Sequence, residues 1–125
     1  MIKLFLDDVR SAEMVFMNTI DPIYENNNEW EIVRSFNEFV SYIEEKGLPE
    51  FISFDHDLDY DHYKHENQQD IDYDKMEIKS GFHAAQWLVN YCVDNKMKLP
   101  NYKVHSMNVA GKRKIERILG KDENR

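Results

Sequence analysis

Three short apolar runs end in the same way, and that shared ending constrains the fold more than any other feature of the chain. "KLFLDDVR" carries Leu4, Phe5 and Leu6 straight into Asp7 and Asp8. "FISFDHDL" carries its run into Asp55, His56 and Asp57, and "YKVHSMN" ends in His105, Ser106 and Asn108. Short apolar and aromatic runs bounded by polar residues read as buried strands. A further run, "WEIVRSF", supplies a strand with Trp30 and Ile32, ending in Arg34 and Ser35 without a comparable cluster.

Helical spacing fills the gaps between these runs. Ala12, Val15, Phe16 and Ile20 predict a first helix, and Phe36, Phe39, Val40 and Ile43 a second, with Asn37 as its cap and "KGLP" as its stop. Phe82, Ala85, Leu88, Val89 and Cys92 form the inner face of a third. Ile115, Ile118 and Leu119 form that of a fourth, which Asn108 can cap. Strands alternating with helices predict an α/β fold with a parallel sheet of about four strands and right-handed crossovers. Such sheets bind ligands beyond the carboxyl ends of their strands. The acids, imidazoles and hydroxyl that end strands one, three and four are therefore expected around one crevice.

Carboxylates gathered there repel one another unless a cation joins them, and oxygen donors suit Mg²⁺ or Mn²⁺. Asp7, Asp8 and Asp55 are the expected ligands, with Asp57 a further candidate; one of Asp7 and Asp8 can instead cap the first helix. His56 and His105 are candidate proton donor and acceptor, the pair that phosphoester hydrolysis needs. "HSMNVAGKRK" reads as an anion site. A helix starting at Asn108 offers free N–H groups, Gly111 permits close approach, and Lys112, Arg113 and Lys114 add charge. Arg10 can reach the same phosphate.

The rest of the composition limits the alternatives. With 125 residues the chain fits one domain, 1–125, and 42% hydrophobic residues fit a folded core. A net charge of -8 argues against whole-surface binding to double-stranded DNA or a membrane. One cysteine, Cys92, suits a reducing cytoplasm and reads as inert core. No leader pattern opens the chain, and no apolar run nears the roughly 20 residues of a membrane span.

A long acidic loop occupies about 56–80, with Asp70, Asp72 and Asp74 read as a solvated lid. Asp55, Asp57, Asp59 and Glu66 mimic calcium-hand spacing, but Tyr60 stands where glycine is required, so that motif is rejected. His62 and His65 with Glu66 lack a second ligand pair for zinc.

"LFLDDVR", an acid after the third strand and a serine after the fourth resemble response-regulator receiver domains. A closer resemblance, over nearly the whole chain, is to the cyclic-phosphate processing receiver domain. Its "LFLDD-R", "SFDHDL", glycine-led helix with tryptophan and "HS-N--G---I" are similar to Leu4–Arg10, Ser53–Leu58, Gly81–Leu88 and His105–Ile115. The resemblance implies a three-layer, receiver/flavodoxin-like sheet, truncated because the usual fifth strand ending in lysine is missing. It implies a metal held by Asp7, Asp8 and Asp55, with phosphate contacted by Ser106. The activity it implies is the processing of cyclic phosphates of nucleotides or RNA ends. "RSAE" stands where proline often follows the family's arginine.

Hydrolysis of a cyclic phosphate is the leading expectation, and binding or sequestering of a nucleotide without turnover is the alternative. A phosphoacceptor switch on Asp55, or an acidic loop that binds a basic partner, would be different proteins altogether.

Overall fold

A computed structural model describes residues 2–58 and 79–123. Most of the acidic loop lies outside the described residues, including Asp59, His62, His65, Glu66, Asp70, Asp72 and Asp74. Among the described residues the four strands are β1 (Lys3–Leu6), β2 (Trp30–Val33), β3 (Phe51–Phe54) and β4 (Asn101–Val104). The helices are α1 (Ala12–Thr19), α2 (Phe36–Lys46), α3 (Gly81–Asp94) and α4 (Val109–Glu123). Two 3₁₀ turns, Pro22–Tyr24 and Asn27–Glu29, lead from α1 into β2.

All strand pairs are parallel, in the order β2-β1-β3-β4. Alternation along the strands divides the molecule into layers. Leu4, Leu6, Ile52, Phe54 and Val104 pack with Phe39 and Ile43 of α2, Leu88 of α3, and Ile115 and Leu119 of α4. On the opposite face Phe5 packs with Ala12 and Val15 of α1, Tyr24 and Trp30. The result is the expected parallel α/β sheet with helices on both faces. No helix among the described residues is long and apolar enough to cross a membrane.

Helix ends follow local chemistry, with two departures from expectation. α2 is capped by Ser35, whose hydroxyl accepts from the Glu38 N–H, so Asn37 falls inside the first turn. Serine is as good a cap as asparagine, and here it stands two residues past the end of β2. Ile20 closes α1 at φ 56 and is 67% exposed instead of facing the core. Gly47 ends α2 at φ 88, a conformation that a side chain would strain.

The ladder continues one residue past three strands. Asp7 N–H donates to Val33 O (3.1 Å), Asp55 N–H to Leu6 O (2.9 Å) and His105 N–H to Phe54 O (2.9 Å). Leu6, Phe54 and Val104 are in register, so Asp7, Asp55 and His105 are the next rung. The chain crosses from β2 over β1 to reach β3, so β1 and β3 flank the topological switch point.

Candidate functional site

That rung places Asp7, Asp55 and His105 side by side with side chains on the same face as Phe5 and Ser53. One ligating atom of each lies within 4.8 Å of the others, and all three residues are buried. Arg10, in the turn after β1, lies across them. Its Nε donates to Asp7 Oδ2 at 2.9 Å, and its Nη2 is 3.5 Å from Asp55 Oδ1 and 3.4 Å from His105 O.

Asp7 is fully engaged. Its Oδ1 accepts the Val9 and Arg10 N–H groups at 3.0 and 2.8 Å, and its Oδ2 accepts Arg10 Nε and His105 Nε2. Burial alone would raise its pKa. The donors from His105, Arg10 and Val9, with the Arg10 charge, outweigh that and hold the carboxyl below its usual range. Asp55 goes the other way and is pushed up to about 8, first by burial and then by the neighbouring Asp7 charge. The Arg10 charge and a hydrogen bond from Ser106 offset only part of this.

The His105 ring is enclosed, stacked on Phe5 with centroids 4.4 Å apart. Its Nε2 meets Asp7 at 3.0 Å and its Nδ1 meets Ser53 Oγ at 2.6 Å; Ser53 Oγ meets Tyr24 OH at 2.6 Å. An ionised Asp7 can only accept, which fixes the direction of the whole chain. Tyr24 donates to Ser53, Ser53 to Nδ1, and Nε2–H to Asp7. Burial lowers the His105 pKa, against the pull of Asp7, so the neutral ring that this chain requires is the stable one. Tyr24, pushed up to about 12 by burial, keeps its proton. Replacing Ser53 by alanine would leave a buried ring nitrogen without a donor. The expected cost is about 1–3 kcal/mol in chemical denaturation, and a smaller loss is expected for Tyr24→Phe, which leaves His105 paired. Equal stability of Ser53→Ala and the parent would contradict this chain.

His56 is placed differently. It has the alternation of Phe54, not of Asp55, so its ring lies on the other face, buried against the start of α4. Its Nδ1 is 2.8 Å from Asp57 Oδ1 and 3.3 Å from Asn108 Nδ2. Asn108 Nδ2 also donates to Asp57 at 3.2 Å, while its Oδ1 accepts the Gly111 N–H at 2.9 Å, the expected cap of α4. A Cβ on Gly111 would overlap the His56 ring, so the group that this glycine admits is an imidazole rather than a phosphate. The expected donor–acceptor pair of histidines therefore meets a different arrangement, with the two rings on opposite faces.

The remaining expected residues take different places around the strand ends. Asp57 pairs with His56 and Asn108, and its charge also acts on Asp55. Asp8 is half-buried in the turn after β1. Ser106 hydrogen-bonds Asp55 and accepts the Asn108 N–H at 3.1 Å. Lys112 lines a cleft of about 310 Å³ with Tyr24, Lys103 and His105, beside the β4 edge.

Sequence reasoning missed three residues. Ser53 carried a signal, being a hydroxyl inside a buried strand. Arg34 carried one as a base at a strand end: its Nη1 donates to Arg10 O at 2.7 Å and Asp7 O at 3.2 Å, bracing the turn. Tyr24, in a polar loop, carried none.

Searches among curated proteins and among solved structures return no match. The family model of the cyclic-phosphate processing receiver domain matches residues 2–121, nearly the whole chain. With that match and the parallel sheet whose strand ends gather Asp7, Asp55 and His105, this chain belongs to the cyclic-phosphate processing receiver family.

Proposed function

We propose that the crevice binds the phosphate of a cyclic nucleotide or an RNA end and opens the ring by metal-assisted phosphoester hydrolysis. The observation that carries this reading is the convergence of Asp7 and Asp55 on adjacent strand ends, with the Arg10 guanidinium across them. The donor chemistry fits Mg²⁺ or Mn²⁺: two buried carboxylates meet, and one is driven toward its neutral form when nothing divalent joins them. Asp7 and Asp55 would hold the ion, with Asp8 beside them. His105 would not, since both its nitrogens are engaged. When bound, such an ion supplies Lewis-acid polarisation of the phosphoryl group and a more acidic water.

The chain's own residues bind and orient. Arg10 offers a planar fork to phosphate oxygens. The Ser106 hydroxyl and the Val109 and Ala110 N–H groups at the start of α4 add neutral donors, the Gly111 N–H being held by Asn108. His105 holds Asp7 in one orientation, and Asp57 with His56 holds Asn108 where the helix must begin; both imidazoles are positioning residues in this reading. Purified protein with Mg²⁺ or Mn²⁺ is expected to convert a 2′,3′-cyclic mononucleotide to its monophosphate, and chelation to stop it. Absence of product with either metal would sink the hydrolytic reading.

One observation favours a second reading. Both imidazoles are enclosed, which leaves neither exposed as a proton carrier. Binding without turnover would give a calorimetric signal with the nucleotide recovered intact.

A further inference from the structure

We infer that Arg10 is the resident counter-ion of the two strand-end carboxylates, and that a divalent cation reaches them only when this guanidinium swings onto the ligand's phosphate. The inference rests on the reading of Asp7 and Asp55 as a cation site. It follows from how the acceptor positions of Asp7 are filled. Two are taken by the backbone N–H groups of Val9 and Arg10, and a third by the enclosed His105 ring. The fourth is held by the Arg10 side chain, which is 17% exposed and whose outer nitrogen also lies 3.5 Å from Asp55. Among these four donors the guanidinium has the freest path out, because the others are tied to the turn or the core.

Like charges a few ångströms apart repel, so the cation and the guanidinium cannot share the same oxygens. A phosphate changes the balance, because it offers the fork a bidentate anion of its own. Cation and phosphate should therefore bind with positive coupling, each raising the other's affinity by the same factor. Part of any such coupling is ordinary attraction between cation and phosphate; the part assigned here passes through Arg10.

Mn²⁺ binding, measured by calorimetry or by electron paramagnetic resonance with inorganic phosphate as the second probe, tests this without an activity assay. Arg10→Gln keeps the backbone N–H that Asp7 needs and is expected to bind Mn²⁺ alone about tenfold or more tighter than the parent. Phosphate should tighten Mn²⁺ binding in the parent by a larger factor than in Arg10→Gln. Where Arg10→Gln does not fold, Arg10→Lys, which keeps the charge without the fork, provides a second reading. Its Mn²⁺ affinity should exceed the parent's, and an affinity equal to or below it overturns the inference. Unchanged or weaker Mn²⁺ binding by Arg10→Gln, with Asp55→Asn abolishing it in the parent, overturns the competition while leaving the cation site intact. No Mn²⁺ binding by any variant, with or without phosphate, overturns both.

Discussion

Gly81→Ala is expected to cost more stability than the same change at any other glycine of this chain, above about 4 kcal/mol. Gly81 opens α3, and its N–H donates to His56 O at 2.8 Å. A Cβ there would fall onto the carbonyl of Asp55 and against the His56 Cα, both of them backbone. Backbone cannot turn aside as a side chain can, so the relief must come from moving a 14-residue helix or the end of β3. Either movement displaces Asp55 from the rung it shares with Asp7 and His105. Gly111→Ala provides the contrast, because the obstacle is the His56 ring, and a loss of about 1–3 kcal/mol is expected. Thermal and denaturant unfolding of both variants measures the difference. A Gly81→Ala protein that unfolds with the parent would show that this close approach is absent.

The same geometry explains what could be read from the sequence. The strands were legible because their interiors are apolar and their ends are not, and "FISF" followed by Asp55 placed an acid at the switch point directly. The sharing of a crevice by Asp7, Asp55 and His105 needed one further quantity, the register, which no local pattern supplies. Leu6, Phe54 and Val104 had to be neighbours before the residues after them could be. That register also separates His56 from His105. They differ by one step of alternation, and a one-step difference puts two side chains on opposite faces of a sheet. The sequence marks Gly111 as a place of close approach, but the group that approaches is the His56 ring, from just past the end of β3. Tyr24 sits in a turn whose sequence shows only polar loop chemistry, and its partner Ser53 lies 29 residues away. Contacts of that range depend on topology rather than on neighbouring residues.

Asp55→Asn is expected to make the metal-free protein more stable at pH 8 while removing its cation site. Asp55 is raised from 3.8 to about 8 by burial and by the Asp7 charge, so the folded state holds this proton far more tightly than the unfolded chain does. The stability contributed by the protonated group is fully present below pH 4 and is lost progressively as pH rises through about 8. Asp7 has the opposite sign. Its carboxyl is depressed, so its contribution is present above the ordinary carboxylate range and is lost only as pH falls below it. The two windows barely overlap; His105, whose pKa burial lowers, adds stability as pH rises through 6.5 in parent and variant alike, so the difference between the two proteins from pH 5 to 8 reports Asp55. Several kcal/mol lie in that span for a group so well buried, and asparagine, which does not titrate, forgoes the loss. In chelator, the melting temperature of the parent should fall from pH 5 to pH 8 more steeply than that of Asp55→Asn, and the two curves should cross. Adding Mn²⁺ together with inorganic phosphate should restore the parent at pH 8 and leave the variant unmoved, and turnover by the variant should fall about a hundredfold or more. A metal-free Asp55→Asn protein less stable than the parent at pH 8 would mean that the two carboxylates do not confront one another at the ends of β1 and β3, and the case for a cation between them would go with it.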